Sequence, residues 1–163
     1  MDFHMKLPRN KKEFILFMAV ISLISVNIIA PLITCFELGF RFEVWLSALK
    51  VIPFIWPCVI ALVLITYKPA EKMTYLIIKK EDSFGAHMTV NILCTVFLMS
   101  IFLTVIGTWI GSRHISLEPV RLFFYKWPRN FAISFAVEAV IAQPIARLVM
   151  NKLHKVKDKH KES

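Results

Sequence analysis

Charge is what this chain has least of where it matters. Of its 163 residues only 19% are charged against 57% hydrophobic, and mean hydropathy is +0.63, outside the range of an ordinary water-soluble domain. Glycine is scarce as well, four residues in all, and no Gly-rich phosphate loop can be drawn from them. No nucleophile elbow and no pair of acids on one helical face is present, so the sequence argues against an enzyme. Three cysteines, Cys35, Cys58 and Cys94, are odd in number and lack CxxC spacing, which speaks against a disulfide framework or a zinc site. The five histidines lie outside the apolar blocks or at their edges, and none makes a metal-ligating pair on one helical face. Neither a metal nor a cofactor is expected.

What remains is hydrocarbon, gathered in four blocks between the charge clusters. Phe14 to Phe36 and Met88 to Ile110 contain no formal charge and are long enough to cross about 30 Å of bilayer at about 1.5 Å per residue. Val51 to Tyr67 is shorter, and the adjoining stretch Val44 to Leu49 either lengthens it or lies along the interface. Phe131 to Ala146 carries Glu138 and is the least hydropathic. The expected fold is an all-α membrane protein of four transmembrane helices.

Orientation follows from the 20 Lys and Arg residues. Fourteen flank the termini and the loop between the second and third spans, from Lys6 to Lys12, from Lys68 to Lys80 and from Arg147 onward; six lie on the other side. Basic residues in short loops favour the cytoplasm, which predicts N-in, C-in. A secretory signal fits the first block poorly, because the run is long and its one small-residue candidate, Ala30, precedes Pro31. The formal charge of +9 does not point to nucleic acid, since the basic residues stand beside the spans without interleaved aromatics. The expected partner is the bilayer, with anionic lipid at the basic tail Lys152, Lys155, Lys157, Lys159 and Lys161.

A shift of 75 residues lays the second half on the first without a gap. Pro53 falls on Pro128, Pro69 on Pro144, Glu43 on Glu118, Ala61 on Ala136, Ser25 on Ser100 and Lys72 on Arg147. This predicts two tandem helix pairs, residues 1–80 and 81–163, related by a pseudo-twofold along the membrane normal. The opening Pro8-Arg9-Asn10-Lys11-Lys12, with Pro128-Arg129-Asn130 and Pro144-Ile145-Ala146-Arg147, resembles an uncharacterised family of small bacterial membrane proteins built from a two-helix unit. That resemblance implies a bacterial inner-membrane location and carries no activity with it. Two helix pairs are also similar in arrangement to compact proton-coupled efflux proteins, although the acidic motif those carry in the first span is missing here.

Glu138 is the leading functional candidate, because an ionised carboxylate inside a span costs several kcal/mol unless hydrated or paired, and an acid there can serve proton-coupled transport. Asn27, Ser100 and Ser134 lie at depths that would make a polar core with it. Asn27 has another reading: Pro31 leaves the carbonyl of residue 27 without its helical donor, and the side chain can repair the backbone. Ser100, Thr104, Gly107 and Gly111 form a small-residue stripe on the third span, and Ala132, Ala136 and Ala139 one on the fourth, which predicts close packing of these helices with each other or with a second copy, as in a homodimer. Trp45, Trp56, Trp109 and Trp127 are expected in the outer aromatic belt. Two functions follow as expectations: a proton-linked small-molecule carrier working as a homo-oligomer, or a noncatalytic protein that binds membrane partners or organises lipid.

Overall fold

A computed structural model describes residues 8–79 and 81–159; Lys6, Lys80, His160 and Lys161 lie outside them. Helix α1 spans Lys11–Leu38, α2 Phe42–Ile77, α3 Phe84–Ser112, α4 Glu118–Arg121, α5 Phe123–Val137 and α6 Gln143–Lys159, with a π-helical turn at Glu138–Ala142 joining the last two. Four helical runs are long and apolar enough to cross a membrane: α1, α2, α3 and the continuous stretch from Phe123 to Lys159. This is an all-α, four-span membrane protein.

Local chemistry sets the ends of these helices. Asn10 caps α1 by accepting the backbone N–H of Glu13 at 2.9 Å, and the Glu13 carboxylate accepts the N–H of Arg9 at 2.8 Å, a reciprocal arrangement that satisfies free N-terminal donors. Gly39 ends α1 at φ 96, where a side chain would be strained, and returns its N–H to the Cys35 carbonyl. Helix α2 runs unbroken through Pro53, Pro57 and Pro69, so Val44 to Leu49 lengthens the second span.

The helices form a ring. Helix α1 packs on α2, α2 on α3, α3 on α5, and the α5–α6 run returns to α1. Among the described residues neither diagonal pair approaches closely. The ring is therefore filled or hollow according to the side chains facing its centre. At the end bearing the termini the seam between α1 and the last run is filled: Phe17 and Ile21 of α1 pack with Ala142, Ala146 and Met150, flanked by Met18, Val149 and Leu153. A polar cluster caps this core. The carboxylate of Glu13, itself buried, meets His154 Nε2 at 2.9 Å and Lys157 Nζ at 2.8 Å, while Arg9 pairs with Asp158 at 3.2 Å.

The two stripes of small residues do not pack together within the chain. A Cβ built on Gly107 or Gly111 meets nothing within 4 Å, and Ala132 and Ala136 are exposed, with Ala139 half-buried. The physical reason is the rotation of α5: Ala132 and Ala136 lie on its exposed face, while Trp127 and Phe131 sit edge-on to Phe97 and Asn130 bonds Thr104 on the side that meets α3.

Candidate functional site

Toward the other end of the bundle the ring encloses a cavity of about 480 Å³. Its lining runs from Met18, Ile21 and Glu138 up to Leu38, Ser47 and Ser112, at the ends of α1 and α3 and the start of α2. The filled core of Phe17, Ala146 and Met150 lies beneath it. The cavity thus reaches from mid-bundle to one surface and stops short of the other.

Glu138 stands at its deep end. It opens the π turn, in which the N–H of Gln143 bonds the Glu138 carbonyl five residues back. Pro144 follows at once and has no N–H to give to Val140, so the wider turn falls where an α-helical bond is missing in any case. This register also returns the Gln143 side chain toward the Glu138 carboxyl. From the neighbouring helix, the buried Ser25 hydroxyl of α1 donates to Glu138 Oε2. Both partners are neutral.

The expected polar core is only partly assembled. Ser134 and Ser100 line the cavity with Glu138. The Ser100 hydroxyl donates to the Phe97 carbonyl and accepts the Trp127 indole N–H, each at 2.9 Å. Asn27 lies outside the cavity: its Nδ2 donates to the Leu23 carbonyl of its own helix at 2.7 Å. A carbonyl one turn back is the nearest acceptor for a short amide side chain in lipid, where no water competes. Thr104 is buried and accepts Asn130 Nδ2 at 3.3 Å, while Gly107 and Gly111 border the cavity as open wall. Trp56 likewise turns inward, its indole 2.8 Å from the Ser22 hydroxyl. Trp56 and Trp127 are pegs between neighbouring helices.

At the mouth, Glu37 accepts Arg129 Nη2 at 3.0 Å and lies 3.4 Å from Lys126 Nζ, and Arg129 also reaches Asn130 Oδ1 at 3.2 Å. Arg129 therefore faces away from Glu138, as an ideal helix requires.

Sequence reasoning missed Ser25, Gln143 and the Glu13, His154 and Lys157 cluster. Ser25 had one signal, its match with Ser100 in the repeat; Gln143 had none, because a five-residue contact is not made by a regular helix. Among the described residues no three His, Cys, Asp or Glu side chains converge as a metal site would require. Comparison with known protein families, curated proteins and solved structures finds no match for this chain.

Proposed function

We propose that this protein is a proton-linked carrier of a small molecule in the bacterial inner membrane, working as a homo-oligomer, with Glu138 as the proton acceptor. The observation that carries the reading is the placement of a single carboxyl, bonded only to neutral partners, at the floor of a cavity that opens to one surface and is shut from the other. Carriers need a central site reached from one side at a time. With the terminal end assigned to the cytoplasm by its basic residues, the present state faces outward.

Two further features support it. Displaced by 75 residues, α1 falls on residues 86–113, against Phe84–Ser112 for α3, in keeping with a tandem helix-pair repeat. The π turn beside Glu138 is a local irregularity of the kind that accompanies functional sites. One chain encloses the cavity by itself, so a second copy would meet it along outer faces, of which that of Ala132 and Ala136 is one.

The test is proton uptake by purified protein in liposomes, titrated across pH in wild type and Glu138→Gln. Wild type is expected to take up one proton per chain that the variant does not, and an imposed proton gradient to move solute only in wild type. Coincident titration curves would sink the reading and favour the rival, a membrane interaction or lipid-organising protein in which Glu138→Gln is mild.

A further inference from the structure

The chemistry of the cavity wall narrows what it holds. Among the described residues that line it, two carry formal charge, Glu37 and Glu138, both acidic, and none is Lys, Arg, His, Phe, Tyr or Trp. Glu37 is already neutralised by Arg129 and Lys126. Glu138 is not: α1 presents Ser25 to it, α6 Gln143, and α3 lines the adjoining wall with Ser100. The remaining charges on the surrounding helices stand apart, with Lys126 and Arg129 at the mouth, Arg147 further along the fourth span, and Glu13, His154 and Lys157 in the cap beyond the filled core. An ionised carboxylate in a largely aliphatic chamber needs a counter-charge, because a buried charge without one is costly. A proton can supply it, and so can a cationic ligand.

The form of that cation is set by what surrounds the carboxylate. Quaternary ammonium groups are held in proteins by aromatic faces, and this wall has none. It has instead hydroxyl oxygens at Ser25 and Ser134 beside Glu138, acceptors that suit a head group with N–H to donate. Above them Val26, Ile29, Ile55, Val59 and Leu103 offer aliphatic surface, and the volume of about 480 Å³ suits a small organic molecule.

We infer that the cavity binds an aliphatic ammonium ion, its N–H groups on the Glu138 carboxylate and its hydrocarbon body along the valine and isoleucine wall. This rests on the reading of Glu138 as the proton acceptor. Ammonium and proton then exclude one another: as the ion seats, the carboxyl O–H bond breaks, the proton leaves to water, and an N–H···O contact to the carboxylate replaces it, so charge in the site is conserved. Binding therefore tightens as pH rises, up to the point where the amine itself loses its proton.

The test uses three probes with one body: cyclohexylammonium, N,N,N-trimethylcyclohexylammonium and cyclohexanecarboxylate. Binding to the full chain in nanodiscs is measured by calorimetry in buffers of differing ionisation enthalpy, which counts protons released. Cyclohexylammonium is expected to bind with proton release, the trimethyl analogue at least about tenfold more weakly, since its charge-assisted hydrogen bonds are gone, and the carboxylate not at all. Glu138→Gln should abolish binding; Ser25→Ala, which keeps the carboxyl, should retain proton release with affinity lowered several-fold. Equal binding of cyclohexylammonium to wild type and Glu138→Gln, or preference for the carboxylate or the trimethyl analogue, overturns the inference. Absence of ammonium binding where Glu138-dependent proton uptake persists overturns it and leaves the carrier reading standing; absence of both removes the two together.

Discussion

The two ends of the bundle are packed differently: at the terminal end α6 lies on α1 alone, whereas toward the other end α1, α2, α3 and α5 close a ring around a chamber. At the terminal end Phe17, Ile21 and Met150 fill the seam between α1 and α6, and Glu13 ties the two helices through His154 and Lys157. At the other end valines, serines and two glycines stand back from the axis and leave a chamber. Closure is thus a matter of side-chain volume and one ionic cap, which small changes on either side can alter without disturbing the fold.

The largest effect is expected at the filled end. Met150→Ala removes a fully buried side chain and should cost about 2–5 kcal/mol of stability, whereas Leu103→Ala, on the cavity wall, should cost clearly less; unfolding midpoints in detergent compare them. Equal losses would mean that the hollow end is collapsed in solution. Next comes the cap. Glu13→Ala deprives His154 and Lys157 of a shared acceptor and should lower the midpoint and expose Ala146→Cys to a water-soluble maleimide, in a background freed of Cys35, Cys58 and Cys94. No gain in labelling would show that the apolar core seals this end unaided.

Smaller effects separate space from packing. Gly107→Leu grows a side chain into the chamber, where nothing lies within 4 Å of its Cβ. The midpoint should hold and Glu138-dependent proton uptake should slow several-fold; loss of folding instead would restore glycine as a packing residue. Ser100→Ala, finally, removes the acceptor of the Trp127 indole and should cost about 0.5–1.5 kcal/mol, visible as a shift in tryptophan emission.

The contrast between the ends also explains what the sequence disclosed. Four spans were legible, since each is a property of one run of residues, its hydropathy and length; their limits were legible only in part, because the expected Val51 to Tyr67 and Phe131 to Ala146 extend to Phe42–Ile77 and Phe123–Lys159. The partners of Glu138 were not legible. Ser25 meets it from a helix 113 residues away, and which serine does so depends on the rotation of two helices about their axes. Small residues misled for a related reason. Gly107 permits close approach or leaves a void, and the rotation of α5, which puts Ala132 and Ala136 on its exposed face, decides which. Asn27 was readable both as a core residue and as a mender of its own helix, and the nearer acceptor prevailed. The halves differ at one telling place: under the 75-residue shift Glu138 corresponds to Val63, which also lines the cavity, so whatever symmetry the repeat brings, the chemistry is one-sided.

The turn from Glu138 to Ala142 holds one residue more than a regular helical turn would. Deleting the exposed Val140 would let the ladder close in ordinary register, and because four α-helical residues sweep nearly the same angle as the five of the wider turn, α5 would keep its facing relative to α6. The carboxyl would stay in the chamber beside Ser25. The surplus residue is a local swelling on the outer surface, a place where this helix can lengthen or shorten by one without turning its acid away.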